Sequence, residues 1–228
     1  MDRKLYLVVT AGGTGTRMGA AVPKQFLTLG GKPILRRTME AFEKACPSLK
    51  VVTVLPSASV ADWKDYCFKS NYNLPQVIVE GGLTRFHSVQ AALSRVPDGV
   101  IVAVHDGVRP LVPPELISRM ISEMEDKEAL IPVIPSVDTL RVLSKGDGGE
   151  LAASGRVIDR SEIFAVQTPQ MFRSELLKAA YSQPYDTAFT DDSSVAERFG
   201  INLSFTEGVR TNIKITTPED LVLAERLL

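Results

Sequence analysis

Cysteine is scarce in this chain of 228 residues: only Cys46 and Cys67 occur. They stand far apart with no Cys-x-x-Cys and no Cys/His cluster, which excludes a disulfide framework and a structural zinc site. Both are expected to be buried, reduced thiols. Histidine is equally sparse, with only His87 and His105. Neither has a cysteine or a second histidine nearby, so a metal role is set aside, a satisfied structural role is expected of each, and no Ser/Cys–His nucleophile arrangement emerges. There is no excess of charge either: 26 Lys and Arg face 27 Asp and Glu, for a net charge of −1. That balance removes the global positive field on which nucleic-acid backbones bind. Long apolar runs are missing as well. Leu5–Val9, behind Met1-Asp2-Arg3-Lys4, is too brief for a signal core or a membrane span. No nucleic acid, no membrane and a cytoplasmic location are the resulting expectations.

What is present is enough to build a core. Hydrophobic residues make up 44% of the chain, and at this length a single domain spanning 1–228 buries sufficient surface without staples. Short β-branched runs at Leu5–Val9, Val51–Leu55, Val77–Glu80, Val100–His105 and Leu130–Ile134 alternate with amphipathic stretches at Ile34–Ala45, Val60–Lys69, Phe86–Val96 and Glu115–Glu125. Such alternation predicts βαβ units, a mostly parallel sheet and a three-layer α/β/α fold. Thr217-Pro218-Glu219-Asp220 opens a last helix running to Leu228. The pattern breaks at residues 136–159, where Lys145-Gly146-Asp147-Gly148-Gly149 turns between two β-compatible stretches, Asp138–Leu143 and Glu150–Val157. This insertion reads as a projecting β-arm. Thr139, Leu140, Val142 and Val157 make it too apolar for a free ribbon, which favours a dimerisation element.

The first strand runs into Thr10-Ala11-Gly12-Gly13-Thr14-Gly15-Thr16-Arg17-Met18-Gly19, with Pro23-Lys24-Gln25-Phe26 downstream. A glycine-rich turn there exposes backbone N–H groups at the edge of an α/β sheet where anions bind. It is not the dinucleotide fingerprint, because Met18 stands where the third glycine belongs and Leu55 is followed by Pro56-Ser57 instead of an acid. It is not a P-loop, because no Gly-Lys-Ser/Thr closes it. What remains is a loop with two cations, Arg17 and Lys24, able to fold over a triphosphate; nucleotidyl transfer suits it, since electrostatics and positioning do the work there. The loop alone is equally compatible with a structural turn carrying two solvated cations. Elsewhere, Asp106 follows an apolar run at a strand end, where a carboxylate serves Mg²⁺ or a hydroxyl, or merely turns the chain with Gly107. Thr190-Asp191-Asp192 reads better as a capped helix start than as an acidic metal site.

Taken together, Ala11-Gly12-Gly13-Thr14-Gly15-Thr16-Arg17-Met18 with Pro23-Lys24-Gln25-Phe26, Gly81-Gly82-x-x-Arg85-x-x-Ser88-Val89, His105-Asp106-x-x-Arg109-Pro110, Thr168-Pro169-Gln170 and Asn212-Ile213-Lys214 resemble the sugar-phosphate nucleotidyltransferases. Within that group the sequence is similar to the 2-C-methyl-D-erythritol 4-phosphate cytidylyltransferase family. The resemblance implies a cytoplasmic homodimer of Rossmann-like subunits that joins CTP to a small alcohol phosphate with Mg²⁺, releasing pyrophosphate, in non-mevalonate isoprenoid synthesis. It implies catalytic roles for Arg17, Lys24 and Lys214 at the phosphates and for Arg160 across the dimer. Nucleotide contacts are implied for Ala11, Gly12, Gly13, Gly15, Gly82, Arg85 and Ser88, and alcohol contacts for Asp106, Arg109, Thr139 and Thr168, with the metal at Asp106. Two departures stand out: Leu83-Thr84 replaces a frequent acidic pair, and Val108 replaces a smaller residue. A ribitol-5-phosphate cytidylyltransferase shares the glycine loop, and a silent nucleotide-binding module would retain the cradle without turnover. An attacking phosphate is already anionic, so the chemistry requires no strong general base.

Overall fold

The computed structural model of the chain describes residues 4–12 and 22–228. Its strands are β1 (Leu5–Thr10), β2 (Thr28–Leu29), β3 (Lys32–Pro33), β4 (Lys50–Leu55), β5 (Gln76–Glu80), β6 (Ile101–Asp106), β7 (Ala129–Pro135), β8 (Arg141–Lys145), β9 (Leu151–Val157), β10 (Phe164–Val166), β11 (Gln170–Arg173) and β12 (Leu203–Glu207). Its helices are α1 (Ile34–Ala45), α2 (Ser57–Lys69), α3 (Arg85–Leu93), α4 (Pro114–Glu123), α5 (Ser174–Ala180), α6 (Asp192–Phe199) and α7 (Pro218–Leu227).

The central sheet runs β10-β7-β11-β6-β1-β4-β5, with β12 also pairing β7. β6, β1, β4 and β5 are mutually parallel, and β12 is parallel to β7, while β11 and β10 run antiparallel to their neighbours. The sheet is therefore mixed and mostly parallel. Alternation along β1 explains why both faces are covered. Leu5, Leu7 and Val9 meet Leu35, Met39 and Phe42 of α1, Trp63 of α2 and Ile117 of α4 on one side. Val8 turns to the other side with Phe86 and Val89 of α3, Leu177 of α5 and Val195 of α6. Three layers result, and each fully buried Leu, Val or Phe contributes about 1.5–3 kcal/mol. In α1 the buried set Ile34, Leu35, Thr38, Met39 and Phe42 forms one helical stripe.

Two local features frame the site. The β2–β3 hairpin turns through Gly30 and Gly31, both at positive φ (50° and 81°), a geometry that disfavours any side chain. α7 starts at a capping box in which Thr217 and Asp220 satisfy each other's backbone N–H groups. The arm is a separate two-stranded sheet of β8 and β9, with Leu143, Leu151 and Val157 exposed.

Three sequence expectations are corrected. Cys46 and Cys67 are free but only half-buried. Asn212–Ile215, whose Ile213 and Ile215 suit a strand on the sequence, forms none; Ile215 N–H donates to Val108 O (2.9 Å), which fastens a coil across β6's exit. Five strands and a helix, β2, β3, β10, β11, β12 and α5, emerge where the local pattern indicated none.

Candidate active site

The carboxyl ends of β1, β4 and β6 are tied together. Ala11 N–H donates to Val54 O (2.9 Å), Gly81 N–H to Leu55 O (2.8 Å) and Gly107 N–H to Thr10 O (2.8 Å). Above them opens a cavity of about 280 Å³ bordered by Ala11, Gly12, Lys24, Gly82, Arg85, Ser88, Asp106, Val108 and Lys214. Eight of these belong to the residues that the motifs single out. Gly13, Gly15 and Arg17 lie outside the described residues.

The second glycine turn is built for close approach. A Cβ at Gly82 would fall 2.6 Å from that of His87, so nothing larger than glycine fits without displacement. Ser88 Oγ accepts the Gly82 N–H (3.0 Å) and donates to Thr84 O (2.9 Å). The cap of α3 is Thr84, whose hydroxyl accepts the His87 N–H. This assigns a structural task to one of the two unusual residues in Leu83-Thr84. The other, Leu83, is almost wholly exposed at the cavity rim. Val108 packs with Leu29, Ile34, Ile215 and Ala224, so its larger side chain is absorbed by a small core under the site.

Asp106 ends β6 and is the electrostatic centre. Its Oδ2 lies 2.9 Å from Lys214 Nζ and 3.5 Å from Arg109 Nε. Burial disfavours its charge, but Arg85, Lys214 and Arg109 outweigh this and hold the carboxyl well below the usual carboxylate range. Thr168 Oγ1 accepts the Asp106 N–H (3.2 Å), and the Thr168 carbonyl accepts from Asn212 Nδ2 (2.8 Å). Asn212 O in turn accepts from Arg109 Nη1 (2.7 Å). Asn212, fully buried, is thus a site-building residue that its motif marked without indicating its task.

A second cavity adjoins the first and shares Arg85, Asp106 and Lys214 with it; Arg109, Thr168 and Gln170 line its far side. Here Asp191 caps α6 in a capping box and accepts from Gln170 Nε2 (2.7 Å), in keeping with a cap in place of an acidic metal site. Arg160 and Thr139 border neither cavity of their own chain; Arg160 Nη1 donates to Val137 O (3.1 Å) at the base of the arm. His105, directly beneath Asp106, is fully buried with Nε2 3.2 Å from Arg109 O, and burial pushes its pKa down to about 4. It is a neutral structural imidazole.

Among the described residues no group of three His, Cys, Asp or Glu side chains is arranged to hold a metal, and no helix is long and apolar enough to cross a membrane. Asp106 stands between the two adjoining cavities with Arg85, Arg109 and Lys214 around it and Lys24 at the border of the first, an arrangement suited to bringing two phosphorylated molecules together. The profile of the family described as "IspD: 2-C-methyl-D-erythritol 4-phosphate cytidylyltransferase" matches residues 5–228. The chain is 46% identical over 223 residues to the 2-C-methyl-D-erythritol 4-phosphate cytidylyltransferase of Phocaeicola vulgatus, covering 98% of this chain and 99% of that one. It is 46% identical over 229 residues to the protein of the same name from Porphyromonas gingivalis, covering 100% and 99%. Among solved structures it is similar to the 2-C-methyl-D-erythritol 4-phosphate cytidylyltransferase of Thermus thermophilus, with a TM-score of 0.76, 33% identity and coverage of 100% and 98%.

Proposed function

The chain belongs to the 2-C-methyl-D-erythritol 4-phosphate cytidylyltransferase family, and on that premise we propose how its residues divide the work. It is a nucleotidyltransferase of isoprenoid synthesis, joining CTP to 2-C-methyl-D-erythritol 4-phosphate. CTP occupies the first cavity, its base over the Gly82–Ser88 turn and its phosphates toward Arg17, Lys24 and Lys214, with Ala11, Gly12, Gly13 and Gly15 lending backbone N–H groups. The alcohol phosphate occupies the second cavity against Arg109, Asp106 and Thr168. Its phosphate oxygen attacks the α-phosphorus in line, a new P–O bond forms, and the bond to the β-phosphate breaks with departure of pyrophosphate. Charge gathered on the α-phosphoryl oxygens is met by cations already fixed in place.

The observation that carries this reading is that Asp106 and Lys214, paired at 2.9 Å, border both cavities at once. The ionised carboxylate of Asp106 fits Mg²⁺, which takes one or two protein carboxylates and completes its shell with substrate phosphates and water. Such an ion, when bound, neutralises triphosphate charge; Asp106 would hold it.

A cytoplasmic homodimer of single-domain subunits completes the proposal. Its support is the exposed apolar face of the arm together with an apolar groove formed by Val133, Phe164, Val166 and Phe205, which a second copy would cover. Arg160 and Thr139 then serve the partner's alcohol cavity. The test is pyrophosphate release from CTP and Mg²⁺ with 2-C-methyl-D-erythritol 4-phosphate, with ribitol 5-phosphate, or with no alcohol. Turnover preferring the methylerythritol substrate is expected, and Lys24→Ala and Lys214→Ala each lower kcat by roughly 10²–10³-fold. Preference for ribitol phosphate would overturn the substrate, and CTP binding without turnover would reduce the chain to a binding module.

A further inference from the structure

Asp192 opens α6, fully buried, yet it is the anchor of an arginine that reaches the site. Arg85 Nη1 donates to Asp192 Oδ1 (2.9 Å) and Nη2 to Oδ2 (2.5 Å), a bidentate pair, and Tyr181 Oη donates to Oδ1 (2.6 Å). The residue after Arg85, Phe86, stacks on the Tyr181 ring at 4.7 Å between centroids. The start of α3 is therefore clamped twice to the same two partners. From Asp192 the links continue through its neighbours: Ser193 N–H donates to Gln170 Oε1 (2.8 Å), and two residues before Gln170, Thr168 holds the Asp106 backbone. A continuous path of hydrogen bonds and short chain segments thus joins the glycine turn of the nucleotide cavity to the alcohol cavity.

The position of Arg85 gives this path a chemical meaning. Its side chain keeps about a third of its surface exposed (32%), while Asp192 keeps none, and the guanidinium borders both cavities. Asp106 and Arg85 each favour the charged form of the other. A bidentate partner fixes the plane of a guanidinium as well as its place. A fully buried carboxylate without a partner would be strongly unfavourable, so Asp192 holds Arg85 in this orientation with or without substrate.

We propose that Asp192 is a positioning residue of the reaction: by locking Arg85 into the wall common to both cavities, it sets the affinity for CTP and for the alcohol phosphate together. This rests on the two-cavity reading above. Both substrates are anionic, and both approach a cation whose direction Asp192 dictates. The distinctive consequence is joint movement of two binding parameters. A merely structural ion pair would behave differently, because partial loss of folded enzyme lowers apparent kcat and leaves each KM unchanged.

The experiment measures both KM values, kcat and the melting temperature for the wild type, Asp192→Asn and the double variant Arg85→Met/Asp192→Leu. The double variant leaves no unpaired buried charge, and replacing a buried ion pair by apolar residues is commonly neutral for folding. If Asp192→Asn fails to fold, the double variant shows whether the cation that Asp192 holds serves both substrates: an unchanged KM for either one overturns the proposal. The expected result is a rise of both KM values by at least fivefold in a folded variant. Both KM values within twofold of wild type, or a rise confined to one substrate, would overturn the proposal. Absence of wild-type turnover with either alcohol would instead strike at the assigned function, so the two failures are distinguishable.

Discussion

His105 shows how one buried side chain sets a pH limit on the whole site. Its ring meets Phe42 edge-on at 4.9 Å and its Nε2 faces the Arg109 carbonyl, so the neutral imidazole is what the fold accommodates. With a folded pKa of about 4 against an unfolded value of 6.5, the unfolded chain binds the extra proton between those limits. Stability is full above about pH 6.5 and falls as pH drops toward 4, with a slope approaching 1.4 kcal/mol per pH unit and a total near 3 kcal/mol. Asp106 and Asp191, whose pKa values are lowered, lose their contributions only below the ordinary carboxylate range, so the windows separate. Denaturant titrations at pH 7 and pH 5 are expected to show this loss in the wild type and its disappearance in His105→Gln. At this scale the sequence located Lys24, Asp106 and Lys214 by motif. It did not reveal the anchoring role of Asp192, because the pairing with Arg85 spans 107 positions and no local signal encodes it.

Among the elements, the turn before α3 illustrates how a motif residue acts through backbone. Ser88 bridges the Gly82 N–H and the Thr84 carbonyl, holding open the strand-to-helix turn proposed above to receive the base. Ser88→Ala removes two hydrogen bonds of about 1 kcal/mol each. The expected outcome is a 5- to 10-fold rise in KM for CTP with kcat nearly unchanged, checked by steady-state kinetics with CTP varied. Strands β1, β4, β5, β6 and β7 were legible as short β-branched runs and the long helices by their apolar period; the range expected for the first helix, Ile34–Ala45, coincides with α1. β10 and β11 were not, since runs of three and four residues carry no period and exist only by antiparallel pairing with distant strands. Asn212–Ile215 fails in the opposite sense: its residues suit a strand, but it meets β6's exit by one backbone bond and joins no ladder.

For the molecule as a whole, the arm carries the assembly prediction. Among the described residues β8 and β9 pair only with each other, and a lone hairpin is marginal in water. A second copy is expected to supply the missing cover. Sedimentation should give a dimer for the wild type, while Val157→Asp on the arm's exposed face shifts it toward monomer and lowers turnover, as Arg160 and Thr139 lose the partner site proposed for them. A monomeric wild type that is fully active at assay concentration would refute this. The cavities' common wall has a further consequence, for divergence. Arg85, Asp106 and Lys214 each border both cavities, so under the proposed division of substrates selection for a new alcohol cannot alter them without disturbing CTP. Drift in preference is channelled to exposed residues that border the second cavity alone, such as Thr190 and Glu197. Enzymes descended from this scaffold should keep an invariant charged hinge and differ at that rim.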